Sequence, residues 1–200
     1  PLALGAVLVD GEDVGARGVR ERQRLGVRYV TDDRLHEGTV GTMPVAINLV
    51  LKRIGRRPFW RAGRIDRRAV DAEARRLIEE YDIRPASPSA RAGTLSGGNL
   101  QKVLLARELG EGARIVVVNK PGHGLDLKTV RMVRRTLRDF ATAGGSVLLL
   151  STDLDELVEL SHRIAVIADG RIVGETPGGG PGVAERVGQL MVGATEGLAR

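Results

Sequence analysis

The sequence predicts an α/β fold built around a mainly parallel sheet. Two short and uninterrupted apolar runs, 115–118 and 147–150, are typical of buried strands. The segment between them, 127–143, repeats apolar residues at helical spacing. A strand, a helix and a second strand in this order form a parallel crossover, so the sequence predicts a sheet with helices on both faces.

The N-terminal half adds two strands and two helices to this plan. Strands are predicted over 6–10 and 27–30, where apolar residues cluster. An amphipathic helix is predicted over 67–81 and another helix over 100–109, from their apolar spacing. We therefore expect a helical subdomain that spans roughly residues 40–110.

The remaining segments are predicted to be turns and linkers. Residues 53–64 and 85–93 are rich in Gly, Pro or Ser, which is typical of loops. Asp169-Gly170, between two short apolar runs, is a strong signal for a β-hairpin near the C-terminus. The Gly/Pro tract over 177–182 predicts a flexible linker to a short terminal helix. These features predict one domain over 1–176 and a linker with a helix over 177–200.

The composition removes several classes of function. The chain carries a formal charge of +6, but nearly all its basic residues are arginines that are scattered among acids, so no nucleic-acid partner is expected. The chain has no cysteine, which excludes disulfides and thiolate metal sites, and His36, His123 and His162 are too dispersed for a histidine cluster. No run approaches the roughly 18 apolar residues that a membrane span needs.

The most informative segment is Leu95-Ser96-Gly97-Gly98-Asn99, which leads directly into the helix predicted over 100–109. Two glycines let the backbone approach an anion closely, and Ser96 offers a hydroxyl group. The helix that follows directs its free N–H groups and its positive dipole end to the same point. The segment fits one side of a phosphate site, although a merely structural turn before a helix has the same composition.

With the helix that follows it, this segment resembles the signature motif of ABC transporter ATPases. It departs from the usual pattern mainly at Leu100, where glutamine is common. Other parts of the chain match the family's motifs in the family's order: residues 27–34 the Q-loop region, 115–121 Walker B, 124–126 the D-loop, 150–153 the switch-histidine region and 169–171 the following hairpin. The resemblance covers nearly the whole chain and is closest to the second ATPase half of tandem subunits in sugar and nucleoside importers.

The resemblance implies a P-loop NTPase-like fold, a composite ATP site and a set of partners. ATP and Mg²⁺ would be held mainly by another ATPase half, in a head-to-tail pair that drives membrane permease subunits. The protein would be cytoplasmic and peripheral on the inner face of the cell membrane. The nucleotide-binding positions carried over from the family are Ser96, Gly97, Gly98, Asn99, Gln101 and Asp126.

Several positions depart from the family's pattern. The phosphate-loop motif G-x-x-x-x-G-K-[ST] does not occur, and in the family it precedes the strand predicted over 6–10. The first strand and the phosphate loop are therefore absent from this chain, and both truncation and true loss remain open as explanations. Asn119 stands at the Walker B aspartate, Lys120 at the catalytic glutamate and Thr152 at the switch histidine, while Asp32 occupies the Q-loop position. A neutral amide and an ammonium group are poor replacements beside Mg²⁺, so this chain alone is predicted not to hydrolyse ATP.

Simpler interpretations of these residues remain open. Lys120 also fits a solvated charge at a strand end, Asp126 an ordinary helix N-cap, and Asp32 a residue that structures a turn. For the whole chain, the leading hypothesis is an ATPase half that donates its signature loop to a partner's ATP. The alternatives are an inactive ABC remnant with a structural or docking role, and an ABC protein that acts on ribosomes or DNA. The transported substrate cannot be inferred from this chain.

Overall fold

The computed structural model describes residues 5–197, and their side chains through residue 192. The chain divides into two compact units, with Leu148 the last residue of the first and Leu149 the first residue of the second. The predicted boundary at residue 176 remains a prediction.

The described elements are numbered in chain order. The strands are β1 (Leu8–Val9), β2 (Glu12–Asp13), β3 (Val27–Val30), β4 (Trp60–Arg61), β5 (Arg64–Ile65), β6 (Ile115–Asn119), β7 (Ser146–Leu150), β8 (Arg163–Ala168) and β9 (Arg171–Pro177). The α-helices are α1 (Val19–Arg24), α2 (Val45–Val50), α3 (Arg67–Glu80), α4 (Gly97–Glu108), α5 (Leu127–Thr142), α6 (Leu154–Leu160) and α7 (Val183–Gly197). A π-helical turn covers Arg34–Gly38, and 3₁₀ turns cover Leu51–Arg53 and Ala92–Thr94.

The central sheet has the strand order β3-β6-β7, and α5 connects β6 to β7 as predicted. Strands β3 and β6 are parallel and pair in register from Val27 with Ile115 to Val30 with Val118. The predicted α/β architecture with a parallel sheet is confirmed.

The two faces of this sheet differ in burial. Val30, Val116 and Val118 are almost fully buried on one face. Tyr29 faces the other way and is 48% exposed, and Leu148 in β7 is 60% exposed. The expectation that helices cover both faces stays a prediction. An apolar run alone does not reveal whether both of its faces are covered.

The helical subdomain has its own hydrophobic core, to which α2, α3 and α4 contribute. Leu49, Val70, Leu77 and Val103 are among its buried side chains. Asn48 is also fully buried in α2, and its amide nitrogen donates to the carbonyl oxygens of residues in the preceding turn. Helix α3 confirms the helix predicted over 67–81, and α4 confirms the one predicted over 100–109 but starts three residues earlier.

Two hairpins in the first unit were not predicted. Strands β4 and β5 lie inside and just after the predicted loop 53–64, and they are joined by Ala62 and Gly63 at φ angles of 49° and 77°. Strands β1 and β2 are joined in the same way by Asp10 and Gly11, at 53° and 82°. Two consecutive positive φ angles are typical of a type I′ turn, whose twist matches that of paired strands.

The second unit packs two helices against the predicted C-terminal hairpin. Asp169 and Gly170 turn between β8 and β9 with φ angles of 47° and 73°, as their sequence predicts. The hairpin packs against α7, and buried side chains from both form a small core: Ile164, Val166, Val183 and Val187. Helix α7 has 15 residues and is therefore longer than the short terminal helix that was predicted.

Candidate functional site

The signature loop lies at the start of α4, with Ser96 as the N-cap. Its Oγ atom accepts hydrogen bonds from the Asn99 side chain at 2.9 Å and from the Asn99 backbone N–H at 3.4 Å. The Asn99 side-chain oxygen also accepts from the backbone N–H of Arg84 at 2.7 Å, which links the loop to the end of α3. The loop is thus held from two sides while Ser96 and Gly97 are exposed.

The two glycines of the loop have different surroundings. A Cβ atom added at Gly98 would lie 3.1 Å from Thr129 Oγ1, so a side chain there would crowd α5. A Cβ atom at Gly97 would meet nothing closer than 3.9 Å, so packing within this chain does not require glycine there. The first N–H groups of a helix have no partner inside it, and those of α4 begin at these glycines. This end of α4 offers the geometry of an anion site to a ligand or partner that approaches Gly97.

Arg34 connects the signature helix to two other motifs. Its Nε atom donates to Gln101 Oε1 at 2.7 Å, and its Nη2 atom donates to the carbonyl oxygen of His123 at 2.6 Å. Burial lowers the pKa of Arg34, and the nearby charge of Asp32 opposes that effect. The guanidinium therefore joins the turn after β3, helix α4 and the loop after β6.

Gln101 is fully buried beneath this contact. Its Nε2 atom has no hydrogen-bond partner among the described residues. The bond from Arg34 to Oε1 is therefore the one hydrogen bond that the described residues give this side chain. Arg34 lies in the segment that resembles the Q-loop region, but it is not among the predicted site residues. Its partners lie 67 and 89 positions away along the sequence, and no spacing rule relates them.

The two positions predicted near Mg²⁺ contact each other. The Asn119 side-chain amide donates to Asp32 Oδ1 at 2.7 Å. This pair offers a cation a single carboxylate, one oxygen of which already accepts a hydrogen bond, whereas Mg²⁺ prefers several oxygen ligands in octahedral geometry. The arrangement does not fit a Mg²⁺ site of its own.

The neighbouring Lys120 has unusual backbone geometry. Its φ angle is 41°, in the left-handed region that few residues other than glycine adopt. The side chain is half-buried, and the described part of the structure shows no hydrogen bond or ion pair for it. Lys120 follows Asn119 directly in the sequence, and its assignment to the catalytic glutamate position still rests on the resemblance.

Asp126 is the N-cap of α5. It accepts hydrogen bonds from the Thr129 hydroxyl at 2.6 Å and from the Thr129 backbone N–H at 3.0 Å. These two bonds lower the pKa of the Asp126 carboxyl. The simpler interpretation of Asp126, an ordinary helix N-cap, is confirmed. Its D-loop role remains a prediction.

Thr152 lies in the second unit, two residues after β7, and its side chain is exposed. The adjacent Asp153 caps α6 by accepting a hydrogen bond from the backbone N–H of Glu156 at 3.1 Å. The switch-region assignment of Thr152 therefore still rests on the resemblance.

Neither a cluster of metal-ligating side chains nor a membrane-spanning helix is found among the described residues. Within residues 5–197, no group of three or more His, Cys, Asp or Glu side chains could hold a metal ion. No helix in that range is both long and apolar enough to cross a bilayer.

Known proteins with similar sequences are import ATP-binding proteins. The chain is 36% identical to a glucose import ATP-binding protein of Haloferax volcanii, over 99% of this chain and 36% of the relative. It is 34% identical to a nucleoside import ATP-binding protein of Lactococcus lactis, over 94% of this chain and 37% of the relative. The chain thus spans about a third of the length of these curated relatives. No protein-family model matches it.

Solved structures with a similar fold are ATP-binding cassettes. A nucleotide-free cassette from an ABC transporter aligns with a TM-score of 0.74 at 19% identity, over 95% of this chain and 74% of that one. A dimeric cassette bound to ADP and Pi aligns with a TM-score of 0.72 at 20% identity, over 89% and 75%. At these identities the likeness establishes the fold alone.

Proposed function

The chain belongs to the ABC ATPase family as a partial domain of the sugar and nucleoside importer type, and from this premise we propose that it donates its signature loop to ATP bound by a partner ATPase half. The complete subunit would couple ATP binding to the import of a simple sugar or nucleoside. The names of the relatives support this substrate class.

The observation that carries the proposal is the exposed start of α4. Ser96 and Gly97 are exposed, and the loop is braced from behind by Asn99. A phosphate at this point would meet the first N–H groups of a helix together with a hydroxyl group. The missing side chain at Gly97 leaves room for it, since the nearest atoms from elsewhere in the fold, on Arg34 and Leu125, lie 3.9 Å from an added Cβ position.

The chain's own Walker B positions support a division of labour between two halves. Phosphoryl transfer needs an aspartate for Mg²⁺ and a group that orients the attacking water. At these places the chain has Asn119, hydrogen-bonded to Asp32, and the unpaired Lys120. We infer that Walker B is degenerate, that the partner half holds ATP and Mg²⁺, and that this chain alone does not turn ATP over.

The same reasoning implies membrane partners. A subunit of this family would pair with a second ATPase half and dock on permease subunits at the cytoplasmic face of the cell membrane. A second candidate function is an inactive remnant with a structural or docking role. The replacement of both Walker B carboxylates favours it as much as it favours the first proposal.

The test compares two serine-to-arginine variants in a turnover assay with a partner ATPase half that carries a complete phosphate loop and both Walker B carboxylates. Ser96→Arg places a bulky cation at the proposed phosphate position. Ser89→Arg is the matched control, because Ser89 is an exposed serine in the same subdomain.

We expect the unmodified chain and Ser89→Arg to raise the partner's turnover and Ser96→Arg to abolish that increase. Turnover that responds equally to all three proteins, or to none of them, contradicts signature donation and supports the remnant.

A further inference from the structure

The net positive charge of this chain is concentrated in one segment. Residues 56–68 contain six arginines and one acid, a formal charge of +5, while the whole chain carries +6. All six arginines are exposed: Arg56, Arg57, Arg61, Arg64, Arg67 and Arg68. The one acid, Asp66, is the N-cap of α3 and accepts a hydrogen bond from the Ala69 N–H. The charge of the remaining chain is therefore nearly balanced.

These arginines are not neutralised by the chain itself. The described residues provide none of the six guanidinium groups with an ion pair or a side-chain hydrogen bond. Arg53, just before the segment, is different, because it pairs with Glu73 at 2.8 Å and stacks on the Phe59 ring. The six exposed guanidinium groups thus present hydrogen-bond donors that suit phosphate oxygens, which guanidinium groups bind in bidentate geometry.

The segment is an ordered platform and not a loose tail. Phe59 is 3% exposed and fixes its base in the helical subdomain core. The backbone N–H of Asp66 donates to the Phe59 carbonyl oxygen at 2.9 Å, which closes the base of the β4–β5 hairpin. Arg61 and Arg64 pair directly beside the turn, so they project from its tip.

An apolar pair lies next to this charge. Trp60 pairs with Ile65 across the hairpin, and Ile65 is 38% exposed although it is a large aliphatic residue. Tryptophan beside arginine is the combination that membrane–water interfaces favour, because the ring sits at the level of the headgroups. A nucleic-acid platform would instead need freely exposed rings for stacking on bases, and the Trp60 ring is half-buried.

We propose that the arginine-rich hairpin, residues 56–68, binds the phosphate groups of anionic lipid headgroups at a membrane surface. The six exposed guanidinium groups of the hairpin attract the anionic headgroups, and Trp60 with Ile65 makes a shallow apolar contact with the membrane interface. This interaction requires neither nucleotide nor a partner half, so its test is independent of the proposed function.

The experiment uses the fluorescence of Trp60, the single tryptophan of the chain. The 200-residue chain is titrated with vesicles of phosphatidylcholine mixed with phosphatidylglycerol, and with vesicles of phosphatidylcholine alone. We expect a blue shift of the emission and co-sedimentation only with the anionic vesicles, both weakened by added salt.

Three double variants distinguish binding through this hairpin from attraction by the net charge of the chain. Arg61→Gln with Arg64→Gln should lower the partition coefficient by roughly tenfold or more, since each basic residue near an anionic membrane contributes about fivefold. Arg61→Lys with Arg64→Lys should keep most of the binding. Arg20→Gln with Arg171→Gln removes the same charge at exposed sites elsewhere and should have little effect. Thermal unfolding of each variant verifies that it is folded.

Two outcomes would overturn the proposal. Equal loss of binding in the Arg20/Arg171 control would show that net charge, and not this hairpin, attracts the vesicles. A Trp60 response to duplex or single-stranded oligonucleotides at physiological salt, with none to anionic vesicles, would assign the surface to nucleic acid instead.

Discussion

Among single residues, the Asn119–Asp32 contact is the most informative. An amide that donates to a carboxylate at 2.7 Å satisfies both groups without a cation. Two carboxylates at this distance would repel each other unless a metal or a proton lay between them. The asparagine therefore stabilises the contact between the end of β6 and the turn after β3, at the position that the resemblance assigns to the Walker B aspartate.

This account predicts that Asn119→Asp destabilises the chain in a pH-dependent way. The variant should lose about 2–3 kcal/mol of unfolding free energy at neutral pH, because it exchanges a hydrogen bond for charge repulsion. The loss should shrink toward about pH 4, where a proton can be shared. Urea unfolding at both pH values measures it.

The matched control is Asn119→Ala, which removes the hydrogen bond without adding charge. It should cost about 1 kcal/mol with little pH dependence. An Asn119→Asp variant as stable as Asn119→Ala at neutral pH would show that the two side chains do not face each other closely.

Arg34 is the second residue whose geometry makes a sharp prediction. A lysine cannot reproduce the planar fork that reaches both Gln101 and the His123 carbonyl. Arg34→Lys should therefore cost about 1–3 kcal/mol, because the buried Gln101 loses its partner.

Amide hydrogen exchange at the start of α4 should also become faster in Arg34→Lys if this contact braces the signature helix. Arg131→Lys, at an exposed arginine of α5, should change neither the unfolding free energy nor the exchange rate at the start of α4. Unchanged exchange in a destabilised Arg34→Lys would limit Arg34 to a structural role.

Among the elements, the longer helices were predictable from sequence and the very short ones were not. Helix α3 buries Val70, Ala74 and Leu77 at regular spacing, so its periodicity was visible. Five of the six residues of α2 are buried, which erases the periodic pattern. The β4–β5 turn uses Ala62-Gly63, which lacks the usual Asn-Gly or Asp-Gly signal, whereas the Asp10-Gly11 signal of β1–β2 was present and was not used.

Helix α3 also provides a prediction about pH. Hydrogen bonds from Arg76 and from Arg53 lower the pKa of Glu73 to about 2. Because the folded-state pKa lies below the ordinary value of 4.5, this stabilisation is present above pH 4.5 and is lost as the pH falls toward 2.

Glu73→Gln should accordingly lower the melting temperature at neutral pH, and the difference from the unmodified chain should narrow as the pH falls from about 5 to about 3. Glu79→Gln, at an exposed glutamate of the same helix, should show neither effect. A difference for Glu73→Gln that stays constant across this range would contradict the ion-pair explanation.

At the scale of the whole molecule, the motifs were predictable and the contacts between them were not. The order of the motifs located Ser96, Asn119 and Asp126 because each follows a recognisable strand or precedes a helix. The Asn119–Asp32 and Arg34–Gln101 bonds join residues 87 and 67 positions apart, which only the folded chain brings together. The basic character of residues 53–64 is visible in the sequence, but the hairpin that orders these arginines and their exposure are not.

The most direct test of signature donation is a cysteine cross-link. The chain has no cysteine, so Ser96→Cys introduces a single, nearly isosteric thiol at the start of α4. A partner ATPase half with a cysteine beside its phosphate loop is mixed with this variant under mild oxidation, with and without ATP. Ser89→Cys serves as the control. We expect a cross-link that forms with Ser96→Cys only when ATP is present. Three results would contradict closure of this loop over a partner's ATP. They are a cross-link whose yield does not depend on ATP, an equal cross-link from Ser89→Cys, and no cross-link at all.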